Sequence, residues 1–196
     1  IYQGEDFKRG IKIINKDKFL ASSIITAIAS LGISKVKVYK KPIVGIITTG
    51  DELQEPGEEL KEGKIFNSNK AFLYTRLLEL GAEPRIFDIA KDSIEGIVSV
   101  VEKAEKECQI IISTGGVSVG EKDLVLRAVE SIGYRRLFWK ISMKPGSPLF
   151  SAVKNGVIYI GLSGTPVAAA TTFELTARRV IAKMLNCRDI DIRKVE

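Results

Sequence analysis

The chain contains no histidine. That absence removes Ser-His-Asp and Cys-His triads and the commonest zinc and iron ligand sets, so chemistry here has to run on carboxylates, lysines, hydroxyls or a hard cation. Cysteine is scarce as well: Cys108 and Cys187 stand far apart and in no C-x-x-C spacing, which supports neither a zinc site nor a disulfide framework and leaves two buried or incidental thiols. No apolar run approaches the roughly 18 to 20 residues that span a bilayer. The opening Ile1-Tyr2-Gln3-Gly4-Glu5-Asp6 is not a basic region followed by an apolar one, so a cytoplasmic protein without membrane association is expected. Position 1 is not Met, which suggests a piece of a longer protein. A Walker sequence GxxxxGK[ST] is also missing, which disfavours a nucleotide-only phosphotransfer enzyme.

What is present is a chain of 196 residues, 45% hydrophobic and 28% charged, long enough for one α/β core with a small appended piece. The formal charge of +6 suits an anionic ligand. The basic residues are nevertheless spread along the chain with no basic stripe interleaved with aromatics, so nucleic acid is not an expected partner.

Residues 10–41 read as a satellite: a β segment at Ile11-Lys12-Ile13-Ile14, an amphipathic helix from Ala21 to Leu31 stopped by Gly32, and an alternating strand Val36-Lys37-Val38-Tyr39. After Pro42 the pattern changes to continuous apolar strands alternating with helices, which predicts a mostly parallel sheet covered on both faces, a three-layer α/β/α domain over 42–186. The strands are Ile43–Ile47, Arg85–Ile89, Ile110–Ile112 and Val157–Ile160, and a hairpin-like pair around 148–153 and 156–161 extends the sheet. Helices are expected over 68–80, 93–106, 122–132 and 167–185, with N-caps at Asn67 or Ser68 and at Asp92 or Ser93, and C-caps at Gly81 and Gly133.

In such a sheet a ligand sits at the carboxyl ends of the strands. Three turns follow strands there: Thr48 to Leu53, Ser113 to Asp123, and Gly161 to Pro166. The second places Gly115, Gly116 and Gly120 with the Thr114 and Ser118 hydroxyls before a helix, either a phosphate cradle or an ordinary turn needing positive φ. Asp123 then either complements the helix dipole or serves as a metal ligand or base. Asp51 and Glu52 are adjacent, so their side chains diverge: one could hold Mg²⁺ through water while the other meets a polar ligand edge, or a carboxylate merely caps the turn. The acids Glu55, Glu58, Glu59 and Glu62 read as solvated loop residues. Lys140 and Lys144 flank an apolar segment, and a period of two puts 140, 142 and 144 on one side, facing an oxyanion or guarding a strand edge, with Trp139 turned inward.

The segments Gly4-Glu5-Asp6, Ala29-Ser30-Leu31-Gly32-Ile33, Thr49-Gly50-Asp51-Glu52-Leu53 with Pro56-Gly57, Asn67-Ser68-Asn69, Gly115-Gly116-Val117-Ser118-Val119-Gly120 with Asp123, and Phe138-Trp139-Lys140 through Lys144-Pro145-Gly146 resemble, jointly and in order, the molybdopterin molybdenumtransferase family, MoeA and the gephyrin E domain. The resemblance implies an enzyme of molybdenum cofactor biosynthesis that binds adenylylated molybdopterin and molybdate or tungstate, releases AMP with Mg²⁺, acts after a molybdopterin adenylyltransferase, and forms a homodimer at full length. Carried over, Asp51, Glu52 and Asp123 are the metal carboxylates, and they join Lys140 and Lys144 in the catalytic set. The pterin and phosphate contacts fall on Thr49, Gly50, Ser113, Thr114, Gly115, Gly116, Ser118, Pro145, Gly146, Ser163, Gly164 and Pro166. Asp6 matches a functional acid outside this domain, at a domain or dimer interface.

The chain departs from the family's Lys-Pro-Gly-Lys-Pro and Pro-Gly-Asn-Pro-Val-Ser at Ser147, Ser163, Thr165 and Ala168, in segments the family uses for molybdate. An alternative is therefore a molybdopterin-binding scaffold without turnover. By the same resemblance, residues 1–41 correspond to a piece of the family's preceding domain and residues 187–196 to the start of its C-terminal β domain.

Overall fold

The computed structural model describes residues 2, 5–16, 18–117 and 124–191. Six strands form one sheet in the order β4-β1-β5-β8-β7-β6: β1 Ile43–Thr48, β4 Glu83–Ile86, β5 Ile110–Thr114, β6 Arg135–Trp139, β7 Phe150–Lys154 and β8 Val157–Leu162. A separate parallel pair joins β2 Leu53–Gln54 to β3 Ile65–Phe66. β4, β1, β5 and β8 run parallel, whereas β7 is antiparallel to both its neighbours.

Alternation along the strands fills two apolar layers. Ile47, Ile111 and Tyr159 face α3 (Ile94–Ala104) and α4 (Leu124–Ser131), where they meet Ile97, Val101, Val125 and Val129. Val44, Ile46, Ile110, Ile112 and Ile160 face α2 (Ser68–Glu79), α5 (Pro166–Leu175) and α6 (Ala177–Met184), against Leu73, Leu77, Phe173 and Ile181. The result is the expected three-layer α/β/α arrangement, because strands apolar on both faces must be covered on both.

The helix caps follow the local chemistry: Asn67 accepts from the Lys70 amide at the start of α2, and Ser93 accepts from the Gly96 amide at the start of α3. Several boundaries differ from the sequence expectation. β4 begins at Glu83 rather than Arg85 and contains Pro84, which an edge strand tolerates because one side of its ladder is unused. The long helix expected over 167–185 breaks at Thr176 (φ −120°, ψ −71°), whose hydroxyl donates back to the Thr172 carbonyl at 2.6 Å. Of the satellite, α1 (Ser22–Ser30) forms, but 11–14 and 36–39 carry no strand. Among the described residues those segments have no ladder partner, and short strands without one are not stable in water.

Among the described residues, side-chain contacts join the N-terminal segment to the region after α6. Lys18 pairs with Asp189 at 2.8 Å, and Asn186 donates to the Tyr39 hydroxyl at 2.9 Å. No helix among the described residues is long and apolar enough to cross a membrane.

Candidate functional site at the strand carboxyl ends

β1, β5 and β8 are neighbours and parallel, so the turns that leave them emerge side by side. They touch. Gly115 has φ +89°, and a Cβ there would overlap the Thr49 carbonyl oxygen and come within 2.9 Å of the Thr49 hydroxyl oxygen. On the other side, a Cβ on Gly164 would stand 3.3 Å from the Gly115 Cα. Only glycine fits position 115, both because its φ is left-handed and because no side chain has room. Thr48, Thr49, Ser113 and Thr114 are at most 2% exposed, while Gly115 and Gly116 are half-exposed. A rigid buried floor thus carries glycine backbone that reaches solvent. The Ser113 hydroxyl has no hydrogen-bond partner among the described residues and is fully buried beneath this floor. Ser118 and Asp123 lie outside the described residues, which resume at the start of α4.

Around β1 the chain is held by polar contacts that the sequence reading did not assign. The Asn67 amide, 1% exposed, donates to the Thr48 hydroxyl at 2.9 Å. The Asn69 amide donates to the Gly164 carbonyl at 2.7 Å. Gln54 donates to the Glu59 carbonyl at 2.7 Å and accepts from the Lys61 amide at 3.1 Å, which closes the acidic loop. Glu55, expected to be free in solvent, pairs with Lys70 and lies 3.4 Å from the Asn67 amide nitrogen, a correction that follows from Lys70 standing on the first turn of α2 beside it. The only sequence signal for these contacts was the Asn67-Ser68-Asn69 string, which cap chemistry alone does not send in two directions.

Asp51 and Glu52 are both exposed in the turn after β1. The Glu52 carboxylate curls back over Gly50, where a Cβ would lie 2.7 Å from its oxygens, and the Lys64 ammonium donates to the Asp51 carbonyl. Among the described residues no three acid or thiol side chains are gathered as a metal cage. Two exposed carboxylates suit a hard cation that keeps water and takes substrate phosphate as further ligands, as Mg²⁺ does.

The Lys140 to Gly146 segment is not the extended strand expected. β6 ends at Trp139, Lys140 has φ +65°, and Lys144, Pro145 and Gly146 form a turn, so the shared face assigned to 140, 142 and 144 does not exist. Trp139 is 36% exposed rather than buried, because β6 is the sheet edge and none of its residues is buried; the Lys140 ammonium lies 4.0 Å from its ring centroid. The segment does leave β6 on the same sheet edge as the three turns, since β6 runs parallel to β8 across β7. Its turn packs on α5: a Cβ on Gly146 would lie 2.6 Å from Met143 and Thr172 and 3.7 Å from the Ala168 carbonyl oxygen. α5 itself starts just after Ser163 and Gly164, and Thr165 at its N-cap makes no side-chain cap bond. Pro166 occupies its first turn and Ala168 is buried.

Turns gathered at the carboxyl ends of neighbouring parallel strands define an α/β domain of the kind that binds ligands at this edge of its sheet. The comparisons with known proteins narrow that class. The sequence model of the family described as "Probable molybdopterin binding domain" matches residues 45–183. The chain is 37% identical over 186 residues to molybdopterin molybdenumtransferase of Staphylococcus epidermidis, covering 95% of this chain and 44% of that protein. It is 36% identical to the Bacillus subtilis protein of the same name over 182 residues, covering 93% and 42% respectively. The crystal structure of the molybdopterin biosynthesis MoeA protein from Pyrococcus horikoshii superposes with a TM-score of 0.84 at 30% identity, over 92% of this chain and 44% of that one. The chain belongs to the molybdopterin-binding domain family, and it spans less than half the length of the molybdenumtransferases named above.

Proposed function

We propose that this chain is the molybdopterin-binding part of a molybdenumtransferase-like enzyme of molybdenum cofactor biosynthesis. The observation that carries the reading is the contact between Thr49, Gly115 and Gly164, which stacks three turns into one cradle at the carboxyl ends of β1, β5 and β8. A pterin phosphate rests on the Gly115 and Gly116 amides, backed by the buried Thr49, Gly50, Ser113 and Thr114, with Ser118, Ser163, Gly164 and Pro166 as the groups around it. Preorganised backbone donors of this kind stabilise charge at no cost in reorganisation, which makes them the largest expected contribution to rate. Lys140 and Lys144, with Pro145 and Gly146 setting the turn, offer positive charge from the sheet edge.

The full reaction in this reading takes adenylylated molybdopterin from an upstream adenylyltransferase, releases AMP, and delivers molybdate or tungstate to the dithiolene. Asp51, Glu52 and Asp123 would hold Mg²⁺, which when bound offsets charge on the phosphoanhydride. The protein acts in the cytoplasm as a homodimer whose second copy and further domains complete the site.

The buried Ala168 and the exposed Thr165 motivate a second reading, a scaffold that binds pterin without turnover. Mixing the whole protein with adenylylated molybdopterin, Mg²⁺ and molybdate separates the two. Pterin binding with Mg²⁺-dependent AMP release supports the enzyme. Binding without release at any molybdate concentration supports the scaffold, and absence of binding overturns both.

A further inference from the structure

The first turn of α2 holds two asparagines whose side chains part company. Asn67 is the N-cap, and its carbonyl oxygen accepts from the Lys70 amide, which is all that capping requires. Its NH₂ group instead leaves the helix for the Thr48 hydroxyl at the end of β1. Asn69, two residues on, sends its NH₂ group to the Gly164 carbonyl at the end of β8. Residues two apart on a helix diverge by about 200°, so one turn reaches both outer members of the β1-β5-β8 trio. The middle member, Gly115, is caught between Thr49 and Gly164.

Asn69 has no use for the helix itself. Asparagine is a poor helix former, and α2 is packed by Leu73 and Leu77 and tied to α5 by the Arg76–Glu174 pair at 2.6 Å. A polar side chain only 9% exposed at this position is accounted for by the turn it holds. The Gly164 turn is pressed so closely on Gly115 that its position sets how much of the Gly115 amide faces a ligand.

We propose that Asn69 is a positioning residue for the phosphate cradle: its amide fixes the height of the Gly164 turn over Gly115, while Asn67 fixes the opposite wall at Thr48. This rests on the molybdopterin reading of the site. Loss of the Asn69 donor leaves the Gly164 carbonyl unpaired and the turn free to lift, so pterin affinity falls while the reacting groups stay in place. The expected signature is a molybdopterin Kd that rises about tenfold, the cost of one unmade buried hydrogen bond.

The test uses Asn69→Ala and Asn69→Asp in the whole protein. The aspartate keeps the shape, lacks the donor, and is favourable at a helix N-terminus, which offsets lost stability. Molybdopterin affinity, melting temperature and amide hydrogen exchange of residues 163–165 and 115–116 are measured together. Arg76→Gln serves as a control that loosens α2 from α5 about 10 Å further along the helix. Weakened pterin binding and faster exchange at both turns in the Asn69 variants, absent from Arg76→Gln, support the proposal. Unchanged exchange at those turns overturns the clamp, whether or not pterin binds. An equal loss of affinity in Arg76→Gln overturns it in favour of general helix packing. A wild-type protein that binds no molybdopterin removes the site to be positioned, and the exchange data distinguish that outcome from a failed clamp.

Discussion

The two flanks of the sheet follow different rules. On the parallel flank, β1, β5 and β8 are covered on both faces, their carboxyl ends are buried, and the turns that leave them touch backbone to backbone. On the antiparallel flank, every residue of β6 is exposed, and the segment that follows carries Lys140 half-buried and Lys144 exposed. The first flank holds geometry to within a fraction of an ångström, as close packing does. The second supplies charge on long side chains that salt can screen. In the proposed reading of the site, the first flank supplies shape and the second attraction.

The sharpest way to break the comparison is to add one methyl group on each side. Gly115→Ala forces a left-handed residue and drives Cβ into the Thr49 carbonyl, backbone against backbone. The expected loss is about 3 kcal/mol of stability, with pterin binding abolished. Gly146→Ala also has positive φ, but its new methyl meets the ends of the Met143 and Thr172 side chains, which can turn aside. It should cost about half as much. Urea unfolding of the two variants checks the order, and equal losses would mean that the parallel flank is no more tightly constrained than the other.

A second, smaller effect lies in what backs the parallel flank. The Arg76 guanidinium grips both oxygens of Glu174, Arg178 adds a third contact, and together they hold the Glu174 carboxyl below its ordinary pKa against the opposing effect of burial. A folded-state pKa that is lowered contributes stability above the unfolded value, near 4.5, and that stability is lost as pH falls through the folded value. Arg76→Gln should therefore cost about 1 kcal/mol at neutral pH, after allowance for solvent screening. It should cost less as the medium is acidified below 4.5, where wild type loses the same contribution. Thermal melts at neutral and acidic pH measure it. A deficit independent of pH would assign Arg76 to packing alone.

The same division explains what could be read in advance. Ile43 to Ile47 and Ile110 to Ile112 announce buried parallel strands because nothing in them suits water, and the glycine turns after them mark the sheet edge that matters. The cap of α3 was legible as Asp92 or Ser93, and it is Ser93. Local pattern could not show that β6 lies at the edge, since Arg135-Arg136-Leu137-Phe138-Trp139 is as apolar at its end as a core strand. Trp139 was misplaced for that reason, and the two lysines because the strand ends before them and the chain turns at Lys140. Pro84 hid the start of β4, and Thr176 gave no sign of a break between α5 and α6. The contacts of Asn67 and Asn69 join residues 19 and 95 positions apart, and nothing within one helix reveals them.

The smallest expected change in stability comes with the most direct test of the charged flank. The Ser147 carbonyl accepts from the Ile141 amide at 3.2 Å, so the turn is held there by backbone rather than by the half-buried serine side chain. Ser147→Lys should alter stability by no more than about 0.5 kcal/mol, as is usual for partly exposed loop positions. It places a third ammonium in the Lys140 to Ser147 segment, and should strengthen molybdate or tungstate binding to the pterin-loaded protein. Because that flank acts through solvent, the gain should be several-fold near 0.01 M salt, where charges are felt over about 30 Å, and should largely vanish near 1 M, where the range is about 3 Å. Calorimetric titration at the two ionic strengths reads the difference. A gain that survives high salt would mean that position 147 contacts the oxyanion directly and is as rigidly placed as the glycine turns. No gain at low salt would mean that the antiparallel flank takes no part in oxyanion capture.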